Sequence, residues 1–419
     1  MSPSHTRRNV CTKNLTLVAG LIGAAGLACG SSGSNQLGSG GAGSRAASGG
    51  NFASGGTPAS GGATASGGSR ASGGTTGTGA AHASGGAMGT GGVRGSGGVT
   101  ATGSTTGTGG GTGQVGSIGG CQIFPADNPW NQDVSALPLN PMGSTYLAAM
   151  HPTTALHADW GDYAAQGDYY GIPFTSGTGA ALQPVTFADA PDESDPNPCP
   201  NNGGMFCYPI PLTAPIEGGP QAGSGEDRHV LYIDTAGAPN NCTLYELYSA
   251  QNPKGSGWSA SSGAIFHLGS NALRPDGWTS ADAAGLPVLA GLVRFDETVN
   301  KKEITHAIRF TVSSSQQGYI HPATHAAGSG NTSLPPMGLR MRLKASVDTS
   351  KFTGPSLVIV TAMKKYGIIL ADNGSNWYIT GESNDAWVPY MDQISSDIAS
   401  LHGSDFEAVD TGPVSTAGL

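Results

Sequence analysis

A low-complexity tract over residues 30–120 constrains this chain most, because it has almost no large apolar side chains that could form a core. The motif Ala-Ser-Gly-Gly begins at positions 47, 53, 59, 65, 71 and 83. A six-residue period could form a β-solenoid, but its inward positions here hold Ala, Ser and Thr rather than apolar residues. We therefore predict a disordered Gly/Ser-rich linker over 30–120, about 50 Å from end to end as a random coil. A folded domain over 121–411 and a disordered tail over 412–419 follow.

The segment before the linker has the pattern of an export signal. Basic residues are followed by an apolar stretch over 15–28 that is too short to span a bilayer. Its end, with the letters LACG, resembles the lipobox of bacterial lipoproteins, which implies that 1–29 is a signal peptide and that Cys29 is lipidated. We expect an exported protein, either an outer-membrane or cell-surface lipoprotein or else a secreted one. Its contact with the membrane would then be limited to the lipid anchor.

Charge is divided sharply along the chain. All 28 acidic residues follow position 120, whereas six of the 19 Lys and Arg residues precede it. The remaining 13 basic residues leave the C-terminal part with a formal charge of −15. A domain this acidic repels phosphate backbones, so nucleic acid is not an expected partner.

Four cysteines lie in the folded region, and an even number in an exported protein predicts disulfides. Cys199 and Cys207 bracket a short loop and are expected to pair, which leaves Cys121 to pair with Cys242. An oxidising compartment and the lack of a C-x-x-C pair argue against a zinc site. No metal and no other cofactor is predicted.

Short apolar segments separated by Gly, Pro, Asn and Asp dominate the folded region, a pattern typical of β-strands. We predict a mainly β single domain, an antiparallel β-sandwich of jelly-roll-like type with a few short helices. The predicted strands are 171–175, 183–187, 228–234, 242–250, 263–268, 292–295, 304–312, 338–345, 367–370 and 377–380. The predicted helices are 144–150, 280–284, 355–365 and 390–401.

Alternation along two predicted strands separates a buried face from a charged one. In 304–312, His306 falls on the face that carries the Ile and Phe residues, whereas Arg309 lies opposite. Arg294 and Asp296 share a face of the segment 292–297. The charged face either lines a groove or is solvated sheet surface.

Glu246 is the leading candidate for acid–base chemistry, because it lies in the middle of the apolar segment LYELY, where burial would raise its pKa. Glycoside hydrolysis needs two carboxyl groups, one protonated and one ionised. Asp296 is the expected partner of Glu246, with Asp282 and Glu217 in reserve. A structural ion pair of Glu246 with an arginine is the alternative.

Several exposed-looking aromatic and basic residues are candidates for binding sugars. Trp278 and Trp377 lie in polar turns, where an aromatic face flanked by polar groups suits a sugar ring. Arg294 and Arg309 are expected to contact the same substrate. Burial of most tryptophans in the core is the alternative.

Several phrases of the folded region resemble, as a set, a family of secreted bacterial proteins: FPADNPWN, EDRHVLYID, LYELYSA, SNALRPDGWTSADAAGLP and ITHAIRFTV. Members carry a signal peptide or lipobox and a low-complexity linker, and the leader is similar to those of myxobacterial lipoproteins. The resemblance extends from Cys121 to about Asp410 and implies one continuous domain. It carries no catalytic residue over to this sequence.

These observations favour a monomeric, surface-tethered, polysaccharide-active protein, a glycoside hydrolase with Glu246, Asp296 and His306 as catalytic residues. The alternative is a non-catalytic glycan-binding or structural surface lipoprotein. A polysaccharide lyase is the second alternative, with Arg309, Arg340 or Arg342 neutralising a uronate while His306 or a tyrosine removes a proton.

Overall fold

The computed structural model describes residues 116–165, 169–220, 222–223, 226–252 and 255–419. All of them belong to one compact unit, Ala101–Leu419. The predicted signal segment, Cys29 and the linker up to residue 115 lie outside the described residues. No helix in the described ranges is long and apolar enough to cross a membrane.

Short strands dominate the structure, which confirms the prediction of a mainly β protein with few helices. The helices are α1 (Gly143–Ala149), α2 (Gly354–Lys365), α3 (Met391–Ile398) and a π-helix (Asp296–Lys301). The strands are β1 (Ser117–Ile118), β2 (Cys121–Gln122), β3 (His157–Asp159), β4 (Phe174–Gly177), β5 (Gln183–Phe187), β6 (Cys207–Tyr208), β7 (Val230–Asp234), β8 (Thr243–Tyr248), β9 (Trp258–Ala260), β10 (Ser262–His267), β11 (Ile308–Val312), β12 (Arg340–Leu343), β13 (Ile368–Asn373), β14 (Tyr378–Thr380) and β15 (Phe406–Ala408).

The strands form several mixed sheets rather than purely antiparallel ones. The largest has the order β15-β12-β13-β11-β14-β3, the next β10-β8-β7-β4, and a third β6-β5-β9. The pairs β11/β13, β14/β3, β4/β7 and β5/β9 are parallel. Parallel neighbours need long connections, and the chain between β11 and β13 supplies one that contains α2. Alternation of side chains does not report strand direction, so the sequence could not show this mixture.

The apolar face of β11 lies in the main hydrophobic core. Ile308, Phe310 and Val312 are fully buried on the predicted apolar face of β11. Trp377 stacks on Phe310 with ring centroids 5.7 Å apart, and its indole nitrogen donates to Met150 O at 2.7 Å. The prediction that Trp377 binds sugar is therefore wrong, because its ring is buried in this core.

Two predicted elements do not form, for local reasons. The segment 292–295 bends into the π-helix, because the Glu297 carboxylate accepts hydrogen bonds from Arg294 N (3.2 Å) and Arg294 Nη2 (2.7 Å). The predicted helix over 280–284 is a turn in which Ser280 Oγ accepts from Asp282 N at 2.8 Å. A serine hydroxyl bound to nearby backbone competes in this way with helix formation.

Both predicted disulfides are confirmed, Cys121–Cys242 and Cys199–Cys207. They indicate an oxidising, extracytoplasmic environment.

The two ends of the folded domain differ from their predicted bounds. The domain begins before residue 121, because β1 precedes that residue and pairs with β2. The tail expected to be disordered is held in place, because Tyr319 and Ser415 exchange backbone hydrogen bonds of 3.0 and 2.7 Å. Tyr319 Oη also donates to Ala417 O at 2.9 Å.

Candidate functional site

Glu246 does not lie in an active site. Its carboxylate is fully buried and accepts hydrogen bonds from Val288 N (3.0 Å) and Leu289 N (2.9 Å). Burial raises its pKa to about 7, although the two backbone donors oppose the rise. The expected raised pKa is present, but a side chain with no exposed surface cannot reach a substrate. Glu246 instead fixes the loop that precedes the π-helix.

The other two predicted catalytic residues lie elsewhere. Asp296 is exposed on the π-helix and pairs with Lys301 at 2.8 Å. His306 is buried, with Nε2 2.9 Å from Glu297 Oε1. Arg294, predicted to bind substrate, is buried against the same Glu297 carboxylate, 2.7 Å from Nη2. The structure therefore does not assemble the predicted catalytic set.

An acidic groove runs between the six-stranded sheet and the loops ahead of β7 and β11. It comprises three neighbouring cavities of about 250, 250 and 300 Å³. The first two share Asp372 as a lining residue. The second and third share Asp159, Glu217, Asp227 and Thr380. We call these three adjoining cavities together the acidic groove.

Strand register places the sheet residues of the groove on one face. Asp159 of β3 is the parallel partner of Thr380 of β14. Thr311 of β11 pairs with Tyr378 on one side and with Asp372 on the other. Directly paired residues point to the same face of a sheet, so Asp159, Tyr378 and Asp372 project together into the groove.

Asp372 has the properties of a proton donor. It is half-buried at the junction of two cavities and accepts a hydrogen bond from Asn373 N at 2.7 Å. Burial, together with the nearby Asp282 carboxylate, raises its pKa to about 7. A general acid works best when its pKa lies near the working pH.

The opposite wall carries an ion pair between buried His229 and partly exposed Glu217. His229 Nδ1 lies 2.6 Å from Glu217 Oε2, and Nε2 lies 2.9 Å from Ala281 O. Since both ring nitrogens face acceptors, we assign the ring as an imidazolium that donates to both. Burial opposes this charge, but the Glu217 carboxylate outweighs it and raises the pKa of His229 to about 9.

Arg309 lines the groove, as predicted for a substrate-binding residue, but three of its five N–H groups are bonded within the protein. Nη2 and Nε lie 2.9 and 3.3 Å from the two oxygens of Asp282, and Nη1 donates to Thr380 Oγ1 at 2.8 Å. Although burial opposes the charge, Asp282 raises the pKa of Arg309 above its usual range. Arg309 therefore orients Thr380 rather than offering a free cation to a ligand.

Tyrosines, rather than the predicted tryptophans, supply the aromatic surface of the groove. Tyr170 Oη donates to Asp159 Oδ1 at 2.6 Å and lies 2.8 Å from His157 Nε2. The His157 ring packs on Tyr378 with centroids 4.2 Å apart. Burial and then the Asp159 carboxylate raise the pKa of Tyr170 above its usual range, so the phenol remains a donor. Trp278 instead packs under Arg274, 5.6 Å from ring centroid to guanidinium carbon.

A larger cavity of about 640 Å³ lies between the π-helix and α2. Glu303 is the one carboxylate among its lining residues, so it lacks the pair of acids that hydrolysis requires. The candidate site is therefore the acidic groove, which has several carboxyl groups, although the cavity between the π-helix and α2 is larger. Within the described ranges, no group of three or more His, Cys, Asp or Glu side chains is arranged to hold a metal ion.

No protein-family model, curated protein or solved structure matches this chain. The candidate site therefore depends on its own geometry. Sequence reasoning held Glu217 and Asp282 in reserve but missed Asp159, Asp227 and Asp372. Asp159 and Asp372 lie at or next to the carboxyl ends of parallel strands, a position that the sequence does not reveal because it does not report strand direction.

Proposed function

We propose that this protein is a glycoside hydrolase that cleaves a neutral or cationic polysaccharide in the acidic groove. The observation that carries the proposal is Asp372, a carboxyl group with a pKa near neutrality at the centre of a groove lined by further acids. Glycosidases need one protonated and one ionised carboxyl group beside the scissile bond.

Asp372 would donate its proton to the glycosidic oxygen as the bond to the anomeric carbon breaks, and a water oxygen would replace it on that carbon, with the water proton passing to a carboxylate of the site. Asp227 supplies the second carboxylate, since it lines the same cavity and accepts a hydrogen bond from Tyr248 Oη at 3.4 Å. Tyr248 also lines the neighbouring cavity with Asp372. The Tyr170–Asp159 network would hold a sugar hydroxyl, and the tyrosine faces would pack on sugar rings.

Charge favours a neutral or cationic substrate. The two cations that line the groove, His229 and Arg309, are each committed to a carboxylate of the protein. A uronate would meet Asp159 and Asp227 without a free cation, so repulsion would oppose its binding.

The lyase alternative loses support because the described lining of the groove offers no free cation to neutralise a uronate. Arg340 donates to Tyr366 O (2.6 Å) and Pro129 O (2.9 Å), and Arg342 pairs with Glu407 at 2.8 Å. Neither arginine lines the groove. The non-catalytic alternative, a glycan-binding protein, is favoured by the tyrosine surfaces, which would bind sugar whether or not a bond is cleaved.

The test measures reducing ends released from a panel of neutral and amino-sugar polysaccharides by wild type, Asp372→Asn and Asp227→Asn. Loss of a general acid should lower kcat by about a hundredfold or more while KM changes little. Asp392→Asn, an exposed change on α3, is the matched control and should retain wild-type activity. Full activity of Asp372→Asn would refute the site, and glycan retention by wild type without product would favour the binding protein.

We also propose that the exported protein is anchored through lipidated Cys29. Labelled palmitate should be incorporated into the wild-type protein in cells and should be lost in Cys29→Ser. Release of unlabelled wild-type protein into the medium would show a secreted protein instead.

A further inference from the structure

The cavity between the π-helix and α2 is separate from the acidic groove and shares no lining residue with it. Its volume of about 640 Å³ lies in the range of small-molecule sites. Apolar side chains dominate its lining, among them Val299, Ile304, Val358, Tyr366 and Tyr390. It therefore suits a ligand with an apolar body.

One buried hydroxyl in this lining has no partner. Thr298 is 1% exposed, and its Oγ1 makes no hydrogen bond within the described part of the chain. Buried polar atoms are nearly always hydrogen-bonded, so each exception calls for an explanation. The Thr298 oxygen has no surface open to the cavity, however, so it is not assigned to a ligand there.

The charged residues of the cavity indicate the sign of the ligand. Lys302 and Lys365 line it together with Glu303, which gives a net positive lining in a domain whose formal charge is −15. In contrast, Lys301 on the adjacent π-helix is already paired with Asp296. Two lysines at an apolar cavity complement an anionic head group.

The backbone at the cavity is also unusual. A π-helix is rare and occurs frequently at functional sites. Lys302, which ends the π-helix, has a φ of 59°, a left-handed conformation that is uncommon for a residue with a side chain. Such outliers cluster at ligand sites, where the surrounding structure holds them in place.

We propose that this cavity binds a free alkyl carboxylate. The alkyl chain packs against Val299, Ile304 and Val358, and the carboxylate accepts hydrogen bonds from Lys302 and Lys365. The proposal is independent of the hydrolase activity, because the two sites share no residue.

Calorimetric titration of the purified full-length protein with sodium dodecanoate, below its micelle concentration, tests this site. We expect saturable one-to-one binding, whereas acetate, which lacks the chain, and dodecyltrimethylammonium, which reverses the charge, should not bind. The double variant Lys302→Gln, Lys365→Gln should weaken dodecanoate binding by about tenfold or more, the effect of losing charge-assisted hydrogen bonds. Lys344→Gln, an exposed lysine outside the cavity, is the matched control.

A second variant, Val358→Trp, places a bulky ring in the cavity and should abolish binding without removing either lysine of the cavity. Circular dichroism confirms that each variant is folded before titration. The proposal is overturned if wild type gives no saturable heat, if dodecyltrimethylammonium binds as tightly as dodecanoate, or if a folded variant at Lys302 and Lys365 or at Val358 retains wild-type affinity.

Discussion

Replacement of Glu217 by Gln should destabilise the protein in a manner that depends on pH. Glu217 holds His229 as a buried cation and raises its pKa from 6.5 to about 9. That difference corresponds to about 3 kcal/mol of stability. Because the folded protein binds this proton more tightly than the unfolded chain, the stability is fully present below pH 6.5 and is lost as the pH rises through 9.

Urea unfolding of wild type and Glu217→Gln at pH 6 and pH 9.5 measures the effect. We expect the variant to lose about 3 kcal/mol at pH 6, and we expect the difference to shrink below about 1 kcal/mol at pH 9.5. At the higher pH His229 is neutral in both proteins, so the ion pair no longer contributes.

Glu407→Gln provides a matched control. Its carboxylate is exposed to a similar extent, 25% against 22% for Glu217, and lies 2.8 Å from Arg342. An arginine keeps its proton throughout this range, so the cost of Glu407→Gln should be the same at both pH values. The assignment of His229 as an imidazolium would be refuted if the cost of Glu217→Gln were equally independent of pH. A cost below about 1 kcal/mol at pH 6 would refute it as well.

Three further predictions concern stability and activity. Glu246→Gln should lower the free energy of unfolding by about 1–3 kcal/mol, because the glutamine amide cannot accept both backbone N–H bonds. The variant should keep the wild-type kcat, and a large fall in kcat would place Glu246 in the active site after all. Replacing Cys121 and Cys242 by Ser opens a loop with a sequence separation of 121, and the cost in urea unfolding should be about 4–5 kcal/mol. Activity should decline as the pH rises through about 7, where Asp372 loses the proton it must donate; a profile with no basic limb near that pH would place the acid elsewhere.

Much of the fold could be predicted because alternation within strands is a local property. His306 and the apolar residues of β11 are buried as their spacing predicted. Burial on the opposite strand face was harder to predict, because charged residues on it are also buried. Arg309 of β11 is 4% exposed and Arg340 of β12 is 2% exposed. A charged residue on the second face appears solvated in sequence, and only tertiary packing supplies the Asp282 carboxylate and the backbone carbonyls that allow it to be buried.

The candidate site was less predictable, because its residues converge from distant segments. Glu246 has the apolar neighbours that raise a carboxyl pKa, but the same neighbours bury it beyond the reach of a ligand. Asp372 lies in a polar stretch that resembles an ordinary turn, and its pKa rises because the fold buries it and brings Asp282 beside it. Local sequence indicates burial of a residue, whereas access to a cavity depends on the entire packing arrangement.

The Cys121–Cys242 disulfide also determines how the domain would respond to mechanical load. A force applied to the chain ahead of Cys121 passes through the sulfur atoms directly to the start of β8. The intervening segment, with a contour length of roughly 400 Å when extended, would carry no tension. Asp159, Glu217 and Asp227 all lie on that bypassed segment, so one wall of the acidic groove could keep its shape while the chain outside it is stretched.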